Sequence, residues 1–318
     1  MALTITQTTA TIERVAEIFS NAILSSETIE SNMFQYIRAS RDTFSMNFGS
    51  TSALVQDYSD DPSLSGTITA ADAEFTIGKR SIKFKIDYDE FKNTIWKDAV
   101  ADLKNQKLPP KFLTWLAGEI TKEVNSETEA DWWNGNGGLT GDLTDGTPVG
   151  RTYLNGFGNI IRTKLAAAPS QIITEAVAAT VPSDSTKVQA ILLAATAVIP
   201  TALVASPDMT IFVAPSVEQA YWESLSTTLA TNLPQTDSLM FNRYKIKVIP
   251  NLNPLRIIIG KSQNMGVAVS VNGNDLLDLN VVDQYALGNG NRAFLTANYG
   301  YGAGIQTTDF VLWENTAA

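Results

Sequence analysis

The chain has 318 residues, 44% of them hydrophobic, the ordinary globular proportion and enough for one large domain or two of common size. Its formal net charge of −10 argues against holding nucleic acid by counterion release over the whole surface, and leaves room only for a local basic patch. It contains no cysteine and no histidine, which excludes disulfides, thiolate nucleophiles, zinc–sulfur sites and every serine–histidine or cysteine–histidine mechanism, while leaving a carboxylate-pair glycosidase open.

In chain order, the first pattern is a helical stripe over Thr11 to Leu24, with Ile12, Val15, Ala16, Phe19 and Ile23 on one face. No basic segment followed by an apolar run stands at the N-terminus, so no signal peptide is expected. Residues Thr43 to Ala73 are rich in Ser, Thr, Asp and Gly, show little periodicity and read as a long polar excursion. Its apolar residues Phe44, Met46, Phe48, Leu54, Val55 and Tyr58 are too many for a solvated tether, so they are candidates for contact with another chain. Next, Ile82, Phe84, Ile86 and Tyr88 alternate with Lys83, Lys85 and Asp87, which predicts a half-buried strand. Phe75 to Ile77 is expected to pair with it through a turn at Gly78. The cluster Lys79, Arg80, Lys83 and Lys85 is either the wet face of that strand or a place to touch phosphate.

The clearest helix follows. Pro109-Pro110 suits a first turn, Asn134-Gly135 suits a C-terminal cap, and Phe112, Leu116, Ile120 and Val124 recur at helical spacing. From Pro110 to Trp133 such a rod is ~36 Å long, with one apolar face and an acidic far half. Asp131 to Trp133, "DWW", could stack on a sugar beside a carboxylate, or could anchor the helix end to a sheet. The run from Asn134 to Gly150 reads as loop; Asp142 and Asp145 there lack the spacing of a calcium loop.

Val188 to Ala205 is strongly apolar, but Pro200 interrupts it short of the ~20 residues a bilayer needs, so a buried helix ending before Pro200 is expected, with Ser183 and Asp184 at its start. "DMTIFVAPSVEQAYWESLS" predicts a strand, then Pro215 opening a helix. "FNRYKIKVIP" alternates as a strand, and "LRIIIGKSQNMGVAVSV" as two strands joined at Gly260-Lys261-Ser262, where no upstream glycine or following helix supports a phosphate loop. Gly288 and Gly290, then Gly300, Gly302 and Gly304, precede extended rather than helical segments. They are therefore expected to mark turns or bulges in a terminal antiparallel sheet rather than a dinucleotide loop.

Several segments taken together resemble the major capsid proteins of tailed bacteriophages, the Hong Kong 97 fold. "LTWLAGEITKEVNSETEADWWNGNG" looks like that family's spine helix and its glycine-rich exit; "LNGFGNII", the segment leading into the axial domain; "MTIFVAPSVEQAYWESL", the axial strand and helix; "FNRYKIKVIPNLNP", the strand after a variable loop; and "NRAFLTANYGYGAGIQTTDFVLW", the closing strands of the peripheral domain. The resemblance implies an α+β chain with an N-terminal arm over 1–42 and an extended loop with its strands over 43–88. It further implies a peripheral domain over 89–164 and 286–318 with a spine helix near 110–133, and an axial domain over 165–285. It implies a non-enzymatic shell protein without cofactor, assembling as hexamers and pentamers around double-stranded DNA in the host bacterial cytoplasm, held to that DNA by weak non-specific contact. Portal and scaffold or decoration proteins would be its partners, and no membrane. Some members cross-link the extended loop through a lysine; none precedes Lys79 here, so noncovalent stabilisation is expected. No internal scaffolding segment is expected ahead of the short arm. An encapsulin-type compartment of the same fold is the alternative reading, and a carboxylate-dependent glycan-binding or glycosidase domain a second.

Overall fold

The computed structural model describes residues 34–39, 43–52, 67–87, 110–135, 154–177, 179–206, 208–228, 239–270, 278–283 and 292–316. The expected helix over Thr11 to Leu24, residues Leu54, Val55 and Tyr58, and the loop with Asp142 and Asp145 lie outside them.

The long apolar stripe forms helix α1, Pro110–Asn134, one residue longer than the pattern predicts. It stops where expected: Gly135 N–H donates back to Asp131 O at 2.9 Å, and a Cβ at Gly135 would stand 2.4 Å from Leu154 O. Only glycine lets the exit backbone approach this closely. After it come α2 (Phe157–Leu165), α3 (Val188–Ala197), the short α4 (Thr201–Val204) and α5 (Pro215–Thr228). Helix α3 ends before Pro200, and its buried face carries Val188, Ile191, Leu192 and Ala195. Asp184 works one turn ahead of it, accepting from Thr186 N–H at 2.9 Å and Thr186 Oγ1 at 2.7 Å. No helix among the described residues is long and apolar enough to cross a membrane.

The strands fall into two sheets and a ribbon. The five-stranded sheet runs β1 (Gln35–Ala39), β10 (Met265–Ser270), β12 (Arg292–Ile305), β11 (Asp278–Asp283), with β4 (Gly78–Asp87) on the other side of β12. Its order is antiparallel except for β1, which lies parallel to β10. The six-stranded sheet runs β5 (Ile172–Glu175), β13 (Phe310–Asn315), β9 (Arg256–Lys261), β6 (Met209–Val213), β8 (Tyr244–Val248), β7 (Met240–Phe241). The ribbon pairs β2 (Thr43–Ser52) with β3 (Thr67–Thr76) antiparallel over ten residues each.

Four sequence expectations need correction. The start of the segment 43–73 is not aperiodic: Phe44, Met46 and Phe48 alternate with Ser45 and Asn47, and 43–52 makes one strand of the ribbon. Strand β3 does not fold back on β4; it pairs with β2, and the chain passes straight through Ile77 into β4, which pairs with β12. Gly300, Gly302 and Gly304 interrupt nothing, because β12 runs unbroken through them. Lastly, strand pairing crosses the expected domain limits. Strand β13, assigned to the peripheral part, lies between β5 and β9 in the six-stranded sheet, while β10 and β11, assigned to the axial part, pair with β12.

The chain changes sheet twice at one place. It leaves β9 for β10 through Ser262–Asn264, and returns from β12 to β13 through 306–309. The two transfers are tied together, Gln306 N–H to Asn264 O and Asn264 Nδ2 to Thr307 Oγ1, each at 2.8 Å. One continuous core accordingly joins α1, α2, α3, β6, β9 and β13 to Met265, Val267 and Val269 of β10 and Tyr301, Ala303 and Ile305 of β12.

Candidate assembly site

Alternation divides the five-stranded sheet into two faces. Met265, Val267, Val269, Tyr301, Ala303 and Ile305 point into the main core. The intervening positions on the other face are Gly266, Ala268, Gly300, Gly302 and Gly304. That small-residue face carries the root of the ribbon, where Phe44, Met46, Ile77 and Ala268 form a second buried cluster with Ile37 and Phe75 against it. Phe44 and Phe75 are a directly opposed cross-strand pair with ring centroids 5.4 Å apart. Each fully buried side chain of this size contributes ~1.5–3 kcal/mol, so the root is held by several kilocalories in total.

Lys164 of α2 closes the root from the side. Its Nζ donates to Ile305 O at 2.6 Å and stands 5.2 Å from the centroid of the Phe75 ring. Burial pushes the pKa of this ammonium below the ordinary lysine value. A cation–π contact and a carbonyl acceptor offset part of that cost.

Two of the six expected inter-chain contacts are thereby corrected. Phe44 and Met46 are only 5% and 2% exposed, spent on the chain's own sheet. Phe48 holds the next alternate position of β2, paired with Ala71. The expected basic cluster is assembled in part. Lys79, Lys83 and Lys85 share one face of β4 and are exposed, opposite Gly300, Thr296 and Phe294 of β12. Arg80 holds an alternate register position, opposite Tyr299. Lys85 Nζ lies 3.9 Å from Asp87 Oδ2, so its charge is partly matched within the strand.

The residues "DWW" cannot meet a glycan. Asp131 is 2% exposed, and Trp132 and Trp133 are 0% exposed. Tyr301 OH donates to Asp131 Oδ2, and Trp132 packs edge-on to the same tyrosine at 6.0 Å. Trp133 sits in an aromatic group with Phe34, Phe157 and Phe212, at centroid distances of 5.6, 5.1 and 5.4 Å. This anchors the helix end to both sheets, and with it the feature that raised glycan stacking is gone. Asn134 completes the anchor: its Oδ1 accepts from Asn253 N–H at 2.9 Å and its Nδ2 donates to Asn251 O. Gly260 of the discarded phosphate loop lies under the Phe310 ring, where a Cβ would stand 2.1 Å from it. Among the described residues no group of three or more acidic side chains is placed to hold a metal ion.

Sequence reasoning missed Phe75, Ile77, Gly266 and the role of Gly300, Gly302 and Gly304. A signal was present: glycines two apart inside a run that also carries Tyr301, Ala303 and Ile305 mean one bare strand face.

No family model matches the chain, and no curated protein matches it. Solved structures do. The chain is similar to a chain of the satellite phage P4 procapsid, a particle that includes the size determination protein, at 12% identity and TM-score 0.61, over 94% of this chain and 98% of that one. It is similar to the capsid of the cyanophage P-SCSP1u at 14% identity and TM-score 0.52, over 91% and 88%. It is also similar to the virus-like particle from Pyrococcus furiosus at 11% identity and TM-score 0.50, over 96% and 99%. At such identities the likeness is one of fold: the chain has the α+β Hong Kong 97-like capsid fold.

Proposed function

We propose that this chain is a tailed-phage major capsid protein that assembles with many copies of itself, as hexamers and pentamers, into an icosahedral shell around double-stranded DNA. The observation that carries the reading is the end-to-end likeness to the satellite phage P4 procapsid chain, 94% of one covering 98% of the other. Physics supports it at the ribbon. Beyond the root, pairing continues from Asn47–Asp72 to Ser52–Thr67. An isolated two-stranded ribbon is marginal in water, so its outer part gains order by packing on another copy. Phe48, Leu54, Val55 and Tyr58 are the residues assigned to that contact.

In this reading the arm is the part of 1–42 ahead of β1, the extended loop is built on the β2–β3 ribbon, β1 and β4 belong to the five-stranded sheet, and α1 is the spine. The five-stranded sheet serves the peripheral part and the six-stranded sheet the axial part. Lys79, Lys83 and Lys85 soften the repulsion between an acidic shell and DNA, whose own counterions make a matching charge unnecessary. The location is the virion, with assembly in the bacterial cytoplasm beside portal and scaffold or decoration proteins. The reading assigns no catalytic step and no cofactor.

Negative-stain microscopy of the expressed full chain tests it: closed icosahedral particles are expected, and a stable monomer at high concentration would overturn it. The likeness to the Pyrococcus furiosus virus-like particle favours a second reading, an encapsulin-type compartment. Particles isolated from the source organism separate the two, since nuclease-resistant DNA inside supports the phage shell and a packaged enzyme supports the compartment.

A further inference from the structure

The ribbon leaves the body over four glycines, and each lies under a different ribbon or root side chain. A Cβ at Gly266 would stand 2.6 Å from Met46 Cε; at Gly300, 2.8 Å from Ile77 Cγ2; at Gly302, 3.0 Å from Phe44 Cε1; at Gly304, 2.6 Å from Phe75 Cδ2. At Gly300 and Gly304 a side chain would force Ile77 and the Phe75 ring to move; at Gly302 it would press on Phe44, and at Gly266 it would displace the flexible end of Met46, so the root rests where it does because these positions are bare. Three of the four share one face of one strand, at positions i, i+2 and i+4. Phe75 is held from two directions, by Gly304 beneath its ring and by the Lys164 ammonium 5.2 Å from its centroid.

We infer that Gly266, Gly300, Gly302 and Gly304 form a seat that aims the ribbon from within its own chain, so that the root is fixed before any neighbour is met and adjustment to neighbours is confined to the ribbon beyond Met46 and Ala73. What the neighbours are rests on the capsid reading; the seat does not. An arm whose direction is set in advance loses less conformational freedom when it docks, and it offers neighbouring copies one exit angle rather than a range. Each added side chain in the seat would lift the root and spread those angles.

The absence of cysteine makes the test clean. In the double variant Phe75→Cys, Gly304→Cys the two Cβ atoms come within disulfide reach, because Phe75 Cγ already lies 2.9 Å from the Gly304 Cβ position. Oxidation of dilute full-length chain is expected to give a bond within one chain, a monomer on a non-reducing gel that is lighter by two hydrogens. Disulfide-linked dimers, or no bond, would overturn the inference. The oxidised variant is then expected to assemble as the reduced one does; assembly that needs reduction would show that the root must release. A second variant keeps the test independent of the cross-link. Gly302→Val is expected to speed amide exchange at Phe44, Met46 and Phe75 by ~10-fold or more with the main core intact, and unchanged exchange would count against the seat. If the wild-type chain makes no particles, the capsid reading fails while the monomer cross-link still stands.

Discussion

Arg162 grips Glu314 with both arms of its guanidinium, Nε 3.0 Å from Oε1 and Nη2 2.6 Å from Oε2. Arg256, paired with Glu314 across β9 and β13, brings its Nη2 to 3.6 Å from the same Oε2. One carboxylate thus ties helix α2 to the middle of the six-stranded sheet, where the Glu314 and Arg256 side chains are 4% and 1% exposed. Gly158 makes room for it, since a Cβ there would stand 2.2 Å from Arg256 Nη1.

Replacing Glu314 by alanine leaves a buried guanidinium without its carboxylate, and a loss of ~3–5 kcal/mol is expected. Arg162→Ala should cost less, because the Arg162 side chain is 26% exposed and Glu314 keeps Arg256. The double change Glu314→Leu, Arg256→Met should recover much of the loss. Urea unfolding of the three variants checks the order; equal costs for the two single alanine variants would contradict it.

Asn134 couples the end of α1 to the 251–253 segment through two hydrogen bonds. Asn134→Ala should destabilise the chain by ~1–3 kcal/mol, because the N–H of buried Asn253 loses its acceptor. Asn134→Asp keeps the acceptor and should fall between. Exchange at the Asn253 amide is the local readout, and protection unchanged in the alanine variant would count against the coupling.

Asp184 carries a pH signature. Hydrogen bonds from the Thr186 hydroxyl and backbone, with Lys187 nearby, hold its carboxyl below the usual 3.8. A carboxyl lowered on folding stabilises the chain above its unfolded value, and loses that contribution as pH falls through the folded value. Asp184→Asn should therefore melt below wild type at neutral pH, with the gap closing once the pH drops beneath 3.8. A Tm difference that stays constant from pH 7 into the acid range would refute the assignment.

Deleting Ser50 to Ala70 joins Gly49 to Ala71, whose neighbouring pair Phe48–Ala71 already brings the two strands together. The root residues Phe44, Met46, Phe75 and Ile77 all remain. The shortened chain should stay soluble and folded, yet form no closed particles by microscopy. Normal particles would remove the ribbon from assembly.

Helix α1 could be read to within a residue, and so could β6 and the Pro215 start of α5, because a helical or alternating period is written in neighbouring residues; the segment 241–250, expected as one strand, is instead the β7–β8 hairpin, turning at 242–243. The anchoring role of Trp132 and Trp133 was legible as one of two options, and burial chose between them. The composition was equally direct: a chain without histidine or cysteine excludes whole classes of chemistry wherever its atoms lie.

What only the tertiary structure decided is partnership. Nothing local distinguishes a strand that turns back on its predecessor from one that crosses to another sheet, so the continuation of β3 into β4 and the place of β13 were invisible until the pairing was seen. Phe44 and Met46 were legible as apolar, but whether a neighbour or the chain's own sheet covers them depends on Gly266 and Gly302, some two hundred residues or more away. Hydrophobic periodicity records that a face must be covered; which surface covers it is set by contacts distant in sequence, where a missing Cβ matters as much as any side chain.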